Sequence, residues 1–138
     1  MKKVVLGAFL LKWSKDHLRE WMRISLGVIF LWFGALKVFN VSPVYEFVVT
    51  AYPIFSFKGM FFVLGLFEVI VGTCLLLKVL LRQAEIFILV HLAGTLLLFF
   101  SKPEMAFSQF PILTLQGEFL LKNLALGVGV LYLIAYEK

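Results

Sequence analysis

The sequence predicts an all-α, polytopic membrane fold: a four-helix bundle built as two parallel helical-hairpin repeats, with an N-terminal interfacial amphipathic helix. Three observations predict it. Of 138 residues, 62% are hydrophobic and 15% charged, with a mean hydropathy of +1.02. That is more apolar surface than a water-soluble domain of this size can hide. Four apolar runs, roughly 22–39, 59–80, 84–100 and 117–136, approach or exceed the ~20 residues that cross a bilayer. Basic residues also fall unevenly between the ends of those runs, as they do in oriented membrane proteins. No Gly/Ser-rich or charged linker interrupts the runs, so residues 1–138 form one integral membrane domain.

Residues 1–20 come first. Lys2 and Lys3 precede a short apolar run, but no small-x-small cleavage site follows and Lys12 and Lys15 come next, unlike a secretory signal. The expectation is a cytoplasmic helix lying in the interface, anchored by Trp13 and Trp21 and drawn to anionic lipid by its lysines. The formal charge of +5 is concentrated here. Membrane electrostatics accounts for it without a nucleic-acid partner; the lipid bilayer is the partner implied.

In the first run Arg23, Gly27, Gly34 and Lys37 recur at helical spacing on one face. The connection that follows opens with Ser42-Pro43, a cap and first-turn pair, and its helix should end before Pro53. In the second run Gly65, Glu68 and Gly72 share a face. Cys74, the one cysteine, is a small hydrophobe in this setting, and its solitude excludes dithiol redox chemistry. The third run places His91 with Gly94 and Thr95. The fourth places Glu118, Lys122, Ala125 and Gly129 together.

Orientation follows from Lys2, Lys3, Lys12, Lys15, Arg19 and Arg23 before or at the start of run one, and from Lys78 and Arg82 beside the 81–83 turn. The other connections carry Lys58 and Lys102 beside Glu46 and Glu104. Both termini are therefore expected in the cytoplasm of a multi-pass protein of the cell (inner) membrane.

An internal similarity joins the two outer connections. Residues 46–62 align without a gap to residues 104–120, matching Glu46/Glu104, Pro53/Pro111, Ile54/Ile112, Gly59/Gly117 and Phe61/Phe119. The expectation is a duplicated hairpin whose corner pieces superpose, with parallel halves about an axis along the membrane normal. Both connections are rich in aromatic and β-branched residues, so Tyr52, Phe107 and Phe110 are candidates for an apolar lid.

The ionisable residues inside the runs are the candidate site, because buried charges in hydrocarbon are costly and normally face the bundle interior. At ~1.5 Å per residue, Glu68 and His91 lie within roughly 2 Å of their run midpoints, with Lys122 about 7 Å, Lys37 about 10 Å and Glu118 about 13 Å toward the outer side. These five are the candidates for ligand binding or proton relay. No catalytic residue is assigned. Glu68 has no neutralising residue in its own run and must find Lys37, Lys122 or His91 across the bundle. A bis-histidine haem, a zinc site, a phosphate loop and a nucleophile triad all lack the residues they need, so no metal is expected.

The stretch Arg23-Ile-Ser-Leu-Gly-Val-Ile-Phe-Leu-Trp-Phe-Gly-Ala-Leu-Lys-Val-Phe39 resembles the first span of the DoxX-like family. Gly65-Leu-Phe-Glu-Val-Ile-Val-Gly72 is similar to its second-span pattern, and Gly117-Glu-Phe-Leu-Leu-Lys-Asn123 to the start of its fourth span, closest to the YkgB/RclC-type branch. The resemblance implies a compact four-helix membrane bundle, contact with quinone or membrane redox chemistry, and links to oxidative stress. It implies a redox partner subunit, membrane-bound or soluble, and transfers no catalytic residue. Three functions stay open at this point. The first is a redox-associated subunit binding a quinone or similar apolar ligand at an outward-opening Glu/His/Lys cluster. The second is a structural, assembly or stress-resistance factor without catalysis, and the third a carrier of a small solute or proton.

Overall fold

The computed structural model describes residues 2–57 and 59–136. Lys58, expected in the outer connection, and the side chains of Lys2, Lys3 and Lys15 lie outside the described residues. The chain is almost wholly helical, and four of its helical stretches are long and apolar enough to cross a membrane: His17–Val38, Met60–Leu77, Leu81–Ser101 and Leu115–Ala135. They agree with the four apolar runs to within a few residues, apart from the start of the first.

Helix α1 (Lys2–Val38) is unbroken over 37 residues, about 55 Å at the helical rise. A separate helix lying in the interface would need a turn near residue 20, and none is present. The sequence explains the continuity: no Gly or Pro lies between Gly7 and Gly27, and neither helix breaker is available to end the segment. After α1 come α2 (Tyr45–Ala51), a 3-10 turn (Pro53–Ser56) and α3 (Met60–Leu77). Helix α2 ends before Pro53 as expected but starts later than Ser42-Pro43, with no side-chain cap. Helix α4 (Leu81–Leu96) runs on through Leu97 into the single turn α5 (Leu98–Ser101), followed by α6 (Pro103–Ala106). A small antiparallel ribbon, β1 (Phe107–Gln109) and β2 (Ile112–Leu113), then leads to α7 (Leu115–Ala135).

Helices α1 and α3 pack as one antiparallel pair and α4 and α7 as another, with slighter contact between the pairs. Glycine makes the first pair close. A Cβ on Gly34 would lie 2.6 Å from Val69 N and 2.7 Å from Gly65 O; one on Gly65 would lie 2.6 Å from the Lys37 Cβ. Gly27 and Gly72 oppose each other in the same register two turns away. Such backbone contact supplies dispersion energy where no hydrophobic drive exists between helices in lipid. Gly34→Val should therefore cost stability by overpacking, about 3 kcal/mol, read as a lower Tm in detergent. Gly127→Ala, whose Cβ would meet nothing within 4 Å, is the control that should leave Tm unchanged.

At the end carrying the 78–80 turn, Arg23 is buried and its guanidinium donates to the carbonyls of Leu75 and Leu76, the last turn of α3. These carbonyls have no helical partner of their own. Glu20 joins the cap, accepting from Arg23 at 2.8 Å and pairing with Lys78 at 3.0 Å.

The aligned segments 46–62 and 104–120 do not share a backbone path. Pro53 opens a 3-10 turn between two helices, whereas Pro111 lies at the tip of the β ribbon. The corner pieces are thus not superposable units. Thr114 sets the start of α7 instead: its Oγ1 accepts from Gly117 N at 2.9 Å and donates to Met105 O at 2.6 Å.

Two apolar cores result. One, toward the 78–80 turn, joins Leu26, Phe30, Val71, Leu75, Ile88, Leu92, Val130 and Leu133. The other, at the loop end, joins Ala51, Leu98, Ala106 and Leu120. The site lies where they meet.

Candidate functional site

Between the two helix pairs is a cavity of about 330 Å³. Phe30, Phe33 and Lys37 of α1, Leu64 and Glu68 of α3, His91, Gly94 and Thr95 of α4, and Phe119 and Asn123 of α7 form its walls. Its roof is the first connection: Phe47, Val48 and Ala51 of α2, then Tyr52 and Phe55. The lining is mostly apolar, with polar groups converging on one region, the usual composition of a small-molecule site.

Glu68 is the centre of that region. It is 2% exposed and stands in the middle of α3. Its Oε2 accepts from the Lys37 Nζ at 2.6 Å, and its Oε1 lies 3.4 Å from His91 Nε2. Lys37 is equally buried, 6% exposed. A carboxylate and an ammonium paired at this distance cancel in net charge, which lets a low-dielectric interior hold both. The His91 ring is held edge-on to Phe30 at 5.8 Å and stacked on Phe87 at 6.4 Å, and Phe87 in turn stacks on Phe67 at 5.7 Å. The aromatic cage fixes where the imidazole points.

Two further polar links cross the cavity. Tyr52 donates its hydroxyl to Gly94 O at 2.6 Å, tying roof to α4. Asn123 Nδ2 donates to Thr95 Oγ1 at 3.0 Å, tying α7 to α4. Lys37 and Phe55 also border a second cavity of about 290 Å³, lined by Asn40, Tyr45, Ser56 and Gly59 at the loop end. Lys37 thus borders both cavities, with its ammonium on Glu68.

The structure brings together Lys37, Glu68 and His91 of the five expected residues. Glu118 and Lys122 are not among them: both are exposed on the outer side of α7. The inward face of that helix at this depth is Leu120, Asn123 and Gly127. The physical reason is the seat of α7. A side chain at Gly117 would collide with the Ala106 carbonyl, so this edge must face the loop-end core, which turns positions 118 and 122 away. Of the lid candidates, Tyr52 covers the cavity. Phe107 packs in the loop-end core beside Phe99, and Phe110 is 81% exposed at the ribbon tip. The first connection, not the second, is the cover.

Asn123 is the residue that sequence reasoning passed over. Its signal was present: an amide inside an apolar run needs a partner and belongs on a helix-packing face. Glu85, 2% exposed near the start of α4, is buried too, outside this cavity. Among the described residues no group of three or more His, Cys, Asp and Glu is arranged to hold a metal ion.

No protein-family model, curated protein or solved structure matches the chain.

Proposed function

We propose that this chain is a small DoxX-like, redox-associated membrane subunit that binds a quinone, or an apolar ligand of like shape, in the cavity beside Lys37, Glu68 and His91. The observation that carries the reading is the cavity itself, an aromatic chamber of about 330 Å³ with an ammonium, a carboxylate and an imidazole on its wall. A quinone head group needs flat apolar walls for its ring and donors for its two carbonyl oxygens. Phe30, Phe33, Phe47 and Phe119 supply the walls; Lys37 and His91 supply the donors. Lys37 borders the loop-end cavity as well, which sets the Lys37–Glu68 pair between the two spaces.

Mass spectrometry of lipid extracted from the purified protein tests this. A quinone retained in stoichiometric amount, and lost from Glu68→Gln, is the expected result. Extract with bulk-lipid quinone content in both proteins would refute the reading.

The proposal includes an orientation, both termini in the cytoplasm of the cell membrane, supported by Arg19, Arg23, Lys78 and Arg82 gathered at one end of the bundle. In a Cys74→Ser background, Phe57→Cys and Phe110→Cys should react with an impermeant thiol reagent added outside, and Leu80→Cys should not. All three side chains are well exposed, at 72%, 81% and 65%. The reverse pattern would invert the topology.

A further inference from the structure

Polar groups line the cavity at two levels. Lys37, Glu68 and His91 form the first. Thr95 lies four residues beyond His91 on the same face of α4, about 6 Å along the helix, and Asn123 of α7 meets it there. Both residues belong to the cavity wall. Asn123 is 5% exposed and lies inside the span Leu115–Ala135, where an amide is costly unless its polar atoms find partners. The hydrogen bonds fix which way this amide is turned. A threonine hydroxyl has one hydrogen, and that of Thr95 goes to the Leu92 carbonyl at 2.8 Å. Toward Asn123 the same oxygen can only accept, so the group 3.0 Å from it is the amide nitrogen, Nδ2. Oδ1 and the second Nδ2 hydrogen are then left without a partner among the described residues. The amide thus keeps one acceptor and one donor unused on a cavity wall, in an orientation that Thr95 holds.

We propose that Asn123, oriented by Thr95, is a second oxygen-binding pole of this cavity, so that the ligand is a ring carrying two opposed oxygens. One oxygen is held at the Lys37–Glu68–His91 cluster and the other at Asn123. The inference rests on the reading of the cavity as a quinone site and narrows it to head groups with para oxygens. The single helical turn between His91 and Thr95 is close to the distance across such a ring. An amide suits both redox forms: its N–H donates to the carbonyl oxygen of a quinone, and its Oδ1 accepts from the hydroxyl of a quinol. A ring with one oxygen anchors at the charged cluster and leaves the Asn123 amide buried and unpaired, which costs affinity. Asn123 is therefore the specificity-determining residue, and Thr95 a positioning residue that acts through it.

The test titrates the full chain in detergent, without oxygen, by calorimetry. Three ligands are used: a decyl-tailed benzoquinone, its benzoquinol, and the decylphenol that lacks one hydroxyl. The wild type should bind quinone and quinol, and hold the decylphenol about tenfold more weakly. Asn123→Leu should weaken quinone and quinol by about tenfold and leave the decylphenol unchanged, so that the discrimination disappears. Thr95→Val frees the amide and should act in the same direction; added to Asn123→Leu it should bring no further loss. One hydrogen bond between membrane helices contributes little to stability, so circular dichroism should show every variant folded. The wild-type preference for quinol over decylphenol is a check that needs no variant, and its absence overturns the inference. Quinone binding indifferent to Asn123→Leu also overturns it while the quinone site stands, as does an equal loss for quinol and decylphenol, the mark of a tie that is only structural. A wild type that binds none of the three ligands removes the quinone site and the second pole together.

Discussion

Lys37→Met is expected to destabilise the bundle by about 3 kcal/mol or more, because it strands the Glu68 carboxylate in an apolar interior. Glu68 has 2% of its surface exposed, its Oε2 is held by Lys37 at 2.6 Å, and His91 stands 3.4 Å from its Oε1. Losing the ammonium removes the Coulombic partner while the desolvation of the carboxylate remains. The converse change, Glu68→Gln, strands a lysine at the end of α1, where its long stem can carry the charge toward the loop-end cavity; a smaller loss is expected. The double variant Lys37→Met/Glu68→Met removes both halves and fills their volume, and should recover most of the stability. Thermal unfolding of the four proteins in one detergent measures all of these. The same set separates two roles for the pair. If the ions only set the register of α1 on α3, the double variant keeps function; if they serve the ligand, it folds but no longer binds.

The spans and the heart of the site were legible in the sequence for the same reason. In a solvent that cannot hydrate charges, an acidic residue such as Glu68 at mid-run must be met by another element at the same depth; of the three residues able to meet it, Lys37, Lys122 and His91, the first and last do. The glycines of runs one and two were legible because small residues in membrane helices mark close approach. The rotation of α7 was not. A helix apolar on every side has no strong amphipathic face to report its orientation, and placing Glu118 and Lys122 inward rested on grouping polar residues with one another. What turns α7 is a contact distant from them, Gly117 against Ala106, with the Thr114 cap at its base. The cover of the cavity failed to show for a similar reason. Both connections carry aromatic residues, and the choice of the first depends on Tyr52 reaching the Gly94 carbonyl, a contact between residues 42 apart in the chain. Likewise the sequence match around Pro53 and Pro111 did not extend to structure, since proline fits both a 3-10 turn and a ribbon tip.

Gly94→Phe should abolish ligand binding while leaving the protein at least as stable as the wild type. Gly94 belongs to the cavity wall, and a Cβ built on it would meet no atom within 4 Å. A larger side chain there extends into open space rather than into a neighbour. Its backbone carbonyl, the acceptor for Tyr52, is untouched by the substitution. Filling the chamber with an aromatic ring buries apolar surface worth about 2 kcal/mol, so Tm should hold or rise. The same ring occupies the volume a quinone head would need, and affinity for a decyl-tailed benzoquinone, read by quenching of intrinsic fluorescence, should fall by about a hundredfold or more. Stability and binding are thus expected to move in opposite directions. That divergence is what a binding cavity requires, because a void kept for a ligand is a void the fold alone would fill. A plugged protein that still binds the quinone, or still supports the cell as the wild type does, would place the function elsewhere on the molecule and leave the Lys37–Glu68–His91 cluster as scaffolding.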